Sequence, residues 1–241
     1  MSTTEYIRKK LNTLANGYVF TYVDFLNNET SSDAVIKALN RLVQKGSISK
    51  ISKGKFYKKE ETPFGALEPT LEQSIKDLLV QGRKPIAYLT GLSTYNSLGL
   101  TTQISNTVQI AKNDIRPSFN RGKYKISYIK QQNTITQDNI PLLQLLDALR
   151  YIKKIPDTSI LDSFKQLKYL INELSEQNQT TLVRLALKYS PATRALLGTL
   201  LQESDSIVNL NKLKNSLNTI SIYKFPTLAS HFPSAQNWNI K

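Results

Sequence analysis

From Ser32 to Gly46 the apolar residues Val35, Ile36, Leu39, Leu42 and Val43 recur at three- and four-residue steps, which predicts one buried face of a helix. Ser32 supplies an N-cap hydroxyl and Gly46 a stop. The opposite face carries Ala34, Lys37, Ala38, Arg41 and Gln44, small residues between long basic or polar ones. The period then changes to two: Ser47 to Ile51 predicts a strand, Ser52-Lys53-Gly54-Lys55 a turn, and Phe56 to Lys58 the returning strand. Upstream, Tyr6, Ile7, Leu11 and Leu14 predict a first helix closed by Asn16-Gly17. Tyr18 to Phe20 predicts a short strand, and Tyr22 to Leu26 a short helix capped by Thr21, with a turn over 27–31. Over residues 1–60 this order is that of a winged helix-turn-helix.

The pattern breaks at residues 61–70, where two prolines, a glycine and acidic residues predict a linker. Residues 71–241 then read as a larger α+β domain with a small sheet and a helical C-terminal part. Thr107 to Ala111 and Lys125 to Lys130 predict strands, with Arg116, Arg121 and Lys123 in the loop between them. Helices are expected over Pro141–Lys154, Ser159–Leu174, Gln179–Tyr189, Pro191–Leu201 and Leu210–Ser216. A late strand is expected at Ser221–Phe225, and the tail from Pro226 to Lys241 has no strong periodicity. The fold class is therefore helix-rich α+β.

Charge sharpens the picture. The chain has 241 residues and a formal net charge of +14, which favours a polyanionic partner, nucleic acid first. Residues 1–60 hold eleven Lys and Arg against five Asp and Glu, so the N-terminal quarter is the more basic part. The expected partner is double-stranded DNA. Ser32, Ala34, Lys37, Ala38 and Arg41 would face the major groove, with Lys50, Lys53, Lys55 and Lys58 on phosphates. Two readings compete: a winged fold that binds a protein partner, its basic face merely solvated, and an enzyme using Tyr88, Arg116 or Arg121. There are no cysteines, which removes thiolate chemistry and Cys-ligated zinc. Met1 to Tyr6 lacks the apolar core of a signal peptide, and no stretch offers the about 18 apolar residues of a membrane span. A soluble, cytoplasmic protein without membrane contact is expected.

Catalytic signatures are incomplete. Gly91-Leu92-Ser93-Thr94-Tyr95 lacks the second glycine of a nucleophile elbow. Gly54-Lys55 has no glycine at Walker spacing before it, and Phe56 stands where Ser or Thr would hold magnesium. His231 is the single histidine. Asp147, Asp157 and Asp162 read as solvated or capping carboxylates in helical segments. The expectation is a non-enzyme with no cofactor and no metal.

Several of these stretches together carry a family likeness. They are Ala34 to Leu42, Gly46 with Ile51 to Tyr57, Tyr88 to Leu92, Leu98-Gly99-Leu100-Thr101-Thr102-Gln103, Asp147 to Arg150, Ile155-Pro156-Asp157 and Arg194 to Gly198. The chain resembles the AbiEi-like antitoxins of type IV toxin–antitoxin and abortive-infection modules. That resemblance implies a phage-defence setting and a co-encoded nucleotidyltransferase-like toxin. It also implies autorepression through the N-terminal domain on inverted repeats of its own promoter, bound as monomer or dimer, with the C-terminal domain opposing the toxin.

Overall fold

The computed structural model describes residues 2–27, 30–63, 65–204 and 206–241. Asn28 and Glu29 of the expected turn, and Phe64 of the expected linker, lie outside the described residues. The chain is α+β and helix-rich, and it divides into two compact units. The first comprises residues 1–78 and 120–124; the second holds the rest.

The first unit opens with α1 (Thr3–Thr13), whose start is closed by a capping box between Ser2 and Glu5. Then come β1 (Val19–Thr21), a 3-10 turn (Tyr22–Phe25), α2 (Ser32–Gln44), and the hairpin of β2 (Ser49–Ser52) and β3 (Lys55–Tyr57). The three strands form one antiparallel sheet in the order β1-β3-β2, with Val19 opposite Tyr57 and Thr21 opposite Lys55. Alternation along β1 and β3 turns Phe20 and Phe56 inward, where they stack at 6.2 Å between centroids. Phe25 meets Phe20 edge-on at 5.3 Å, and Ile7, Leu39 and Ile48 complete this core. The expected linker region is structured: β4 (Glu60–Thr62) pairs with β5 (Gly65–Leu67), and α3 (Leu71–Leu79) follows. Pro63 follows β4, Gly65 opens β5 and Pro69 follows it, and the first unit extends to Leu78.

The second unit begins with the short pair β6 (Val80–Gln81) and β7 (Lys84–Pro85), then β8 (Ala87–Thr90) and α4 (Leu92–Ser97). After these come β9 (Thr107–Lys112) and β11 (Tyr124–Lys130), giving the strand order β11-β9-β8 in this unit, while β10 (Phe119–Arg121) lies largely in the segment that belongs to the first. β8 runs antiparallel to β9, and β9 runs parallel to β11. The helical part is α5 (Asn139–Arg150), α6 (Ile160–Asn172), α7 (Glu176–Ala186), α8 (Pro191–Gln202), α9 (Asn211–Asn215) and α10 (Pro226–His231). Residues 221–225 make only one isolated bridge, Tyr223 to Ile240, in place of the expected strand. The tail is ordered by packing that leaves no periodic trace. Trp238 is 1% exposed, closes over Gly198 of α8, and donates its indole N–H to Gln202 Oε1 at 2.7 Å. Among the described residues no helix is long and apolar enough to cross a membrane.

Candidate nucleic-acid interface

In α2 the stripe Val35, Ala38, Leu39 and Leu42 is buried, so three turns of the helix sit on the core of the first unit. Burial of each of the large side chains contributes about 1.5–3 kcal/mol. The outward face is therefore Asp33, Lys37, Asn40, Arg41 and Gln44, all exposed. Two sequence expectations change. Ala38 belongs to the core at 4% exposure and does not face a groove, whereas Ile36, expected inside, stands 36% exposed at the edge. The reason is geometric: a stripe centred on 35, 38/39 and 42 leaves Ile36 about 100° round the helix from Val35. Ala34 is half-buried at the other edge.

The cap is displaced by one residue. Ser31 Oγ, not that of Ser32, accepts the bond from the Ala34 amide at 3.3 Å, and Ser32 is the exposed first residue of the helix. At the far end Gly46 takes φ +73° and its amide donates to Val43 O at 2.9 Å. That left-handed geometry is the one glycine adopts at no steric cost. Lys37 and Arg41, four residues apart, thus project from one rigid face.

The hairpin divides its lysines. Lys50 on β2 and Lys53 at the turn are exposed. Lys55 is not free for a phosphate, because its Nζ lies 3.0 Å from Asp77 Oδ2. Asp77 also holds Arg121, whose guanidinium is 6% exposed and donates to Ser74 O at 2.9 Å. Lys58 is engaged too: its half-buried ammonium donates to Leu14 O at 3.2 Å, where it satisfies a carbonyl at the end of α1. Sequence gave no sign of either engagement, since Asp77 and Leu14 are 22 and 44 residues away along the chain. Of the nine expected interface residues, Ser32, Lys37, Arg41, Lys50 and Lys53 are exposed in the first unit.

The second unit holds a polar cluster that sequence reading missed. Asp147, expected to be solvated, is 1% exposed on α5. Its Oδ2 accepts from Tyr88 OH on β8 and its Oδ1 from Tyr189 OH, both at 2.8 Å. Gln131 Nε2 closes the ring by donating to Tyr88 OH at 2.7 Å and Tyr189 OH at 2.8 Å. Its Oε1 accepts from the Asn133 amide at 2.8 Å. Burial pushes the Asp147 carboxyl up from the ordinary value, against the opposing pull of the two tyrosine hydroxyls. Burial, and then the neighbouring Asp147, pushes Tyr88, Tyr95 and Tyr189 up as well. The ring joins β8, β11's end, α5 and the α7–α8 junction, so its visible work is to fix their register. Among the described residues no group of three or more His, Asp or Glu could hold a metal ion.

Comparison with known proteins places the chain in a family. A family model described as "Family of unknown function (DUF6088)" matches residues 6–171. The chain belongs to this family. The DUF6088 match begins within α1, takes in both hairpin strands of the first unit, and ends within α6. The crystal structure of the RV2827C protein from Mycobacterium tuberculosis is similar to this DUF6088 chain, with a TM-score of 0.58 at 13% sequence identity. The likeness covers 92% of this chain and 85% of that one. At that identity it shows the α+β fold alone. No curated protein matches.

Proposed function

We propose that the first unit is a winged helix-turn-helix that binds double-stranded DNA, and that the protein represses its own promoter. The observation that carries this reading is the face of α2. Lys37, Asn40, Arg41 and Gln44 are exposed there together, on a helix held rigid by its buried stripe and its two caps. Side chains of these types are the ones that read base edges or hold phosphates. Lys53 at the tip of the β2–β3 turn would reach the adjoining backbone as a wing. The further role, an antitoxin opposing a nucleotidyltransferase-like toxin in the cytoplasm, is supported by the motif likeness from Leu98 to Gln103 and from Asp147 to Arg150.

The test is fluorescence anisotropy with the DNA just upstream of the gene, against scrambled DNA of equal length, at about 50 and 200 mM salt. Tighter binding to the upstream DNA at both salts is the expected result. Weak and equal binding to both DNAs would remove the DNA reading. A second reading, a winged fold that binds a protein, has an observation of its own. Val23 and Leu26 at the 3-10 turn and Ile36 on α2 are 58%, 38% and 36% exposed, large apolar side chains that suit a protein partner.

A further inference from the structure

The second unit contains a cleft of about 570 Å³ whose rim carries three cations, Lys130, Arg150 and Lys188. They come from three separate places: the end of β11, the last turn of α5, and the second residue after α7. A helix C-terminus favours a cation on its own account, which would explain Arg150 and Lys188 singly. It does not explain Lys130, nor the convergence of all three on one cavity that no carboxylate lines. Among the described residues none of the three forms an ion pair. Arg150 is held by stacking over the Tyr151 ring at 5.1 Å, which leaves the N–H edges of its guanidinium for a ligand. Lys188 gives one bond to Gln132 O at 3.3 Å and keeps its other two donors.

The floor is preorganised. It includes Gln131 and Tyr189, both buried and both locked in the Asp147 ring. Ser190, which caps α8 by accepting from the Thr193 amide, also lines the cleft. The volume lies within the range of small-molecule sites, about 300–1,000 Å³. We propose that this cleft binds a phosphorylated small molecule carrying a diphosphate or a longer phosphate chain. Paired phosphates match three cations that stand apart, and the remaining volume accommodates an organic group.

The proposal does not rest on DNA binding by the first unit, and its test separates the two. Isothermal titration of the full-length chain with sodium pyrophosphate, and separately with ADP, should show one saturable site at low salt. Lys130→Gln with Lys188→Gln, two exposed positions, should weaken that site about tenfold, the loss expected when charge-assisted bonds are removed. Unchanged Trp238 fluorescence verifies that the variant is folded. Arg41→Ala should leave the affinity as it was. Tighter binding of ADP than of pyrophosphate identifies a nucleotide, and equal affinity identifies the phosphate chain alone; both support the proposal. No saturable heat with either probe at about 5 mM, or equal affinity in the double variant, would overturn it. So would displacement of pyrophosphate by a random-sequence duplex in the Arg41→Ala protein, since the cations would then belong to a nucleic-acid surface.

Discussion

The two units handle charge in opposite ways. In the first, Lys37, Arg41 and Lys53 stand in solvent on a helix and a turn whose backbones are fixed by glycines and caps. In the second, Asp147 is withdrawn from water, and a ring of two tyrosines and a glutamine satisfies it. An exposed cation contributes little to folding and remains available to a partner. A buried carboxylate costs desolvation and is tolerable only when its oxygens are bonded, so its value lies in specifying one arrangement of the elements that meet there. Substitutions in the first unit should therefore change binding and spare stability, and those at the ring should do the reverse.

The largest expected effect is at the ring. Asp147→Ala leaves the Tyr88 and Tyr189 hydroxyls buried without their acceptor, and should destabilise the second unit by about 3 kcal/mol or more. Trp238 is the single tryptophan and lies in that unit, so urea unfolding followed by its fluorescence reads the right transition. A loss below about 1 kcal/mol would show that the ring is dispensable. Next in size is Gly198→Ala in α8. Alanine normally favours a helix interior over glycine by about 1 kcal/mol. Here the added Cβ would run into the Trp238 ring, so the net effect should be a loss of about 1–3 kcal/mol from overpacking. A more stable variant would mean that the tail moves aside freely.

The first unit supplies the contrasting case. Arg41→Ala should reduce discrimination between promoter and scrambled DNA by about 1–3 kcal/mol, with the urea midpoint unchanged. Equal losses on both DNAs would reassign Arg41 to a phosphate.

A pH series tests the other side of the comparison. Burial raises the Asp147 carboxyl above its ordinary 3.8, so the folded state holds its proton longer than the unfolded state does. The stability it contributes is fully present below that ordinary value and is lost as pH rises through the raised one. Measured relative to Asp147→Asn, the wild-type advantage should therefore shrink with rising pH. An advantage that grows with pH would mean that the tyrosine hydroxyls outweigh desolvation.

How much of this was legible in the sequence follows from the range of the interactions. Helix α2 and the β2–β3 hairpin could be read because their periods, their stop at Gly46 and their turn at Gly54 are local. Helices α5 to α9 were likewise found from their apolar stripes, with ends misplaced by a few residues, whereas α10 in the tail was not. What failed depends on partners far along the chain. Asp147 reads as a surface carboxylate until Tyr88 and Tyr189 are brought to it from 59 and 42 residues away. The tail looked aperiodic because its buried residues, Leu228, Phe232, Ala235, Trp238 and Ile240, follow no single helical or strand period. Ala38 failed for a subtler reason: alanine is small enough for either face, so only the position of the stripe decides.

The smallest predicted effect separates two lysines on the same hairpin that look alike in sequence. Lys53 sits exposed at the turn, and Lys53→Ala should lower the slope of log affinity against log salt by about one, alike on promoter and scrambled DNA. Lys55 is two residues on, yet its ammonium lies 3.0 Å from Asp77 Oδ2 and its side chain is 20% exposed. A lysine already paired with a carboxylate releases no counterion when DNA arrives, so Lys55→Ala should leave the slope nearly unchanged. Its partner Asp77 keeps Arg121, which limits the cost to folding. Equal slope changes for the two variants would mean that the Asp77 pair opens on DNA, and would return Lys55 to the interface.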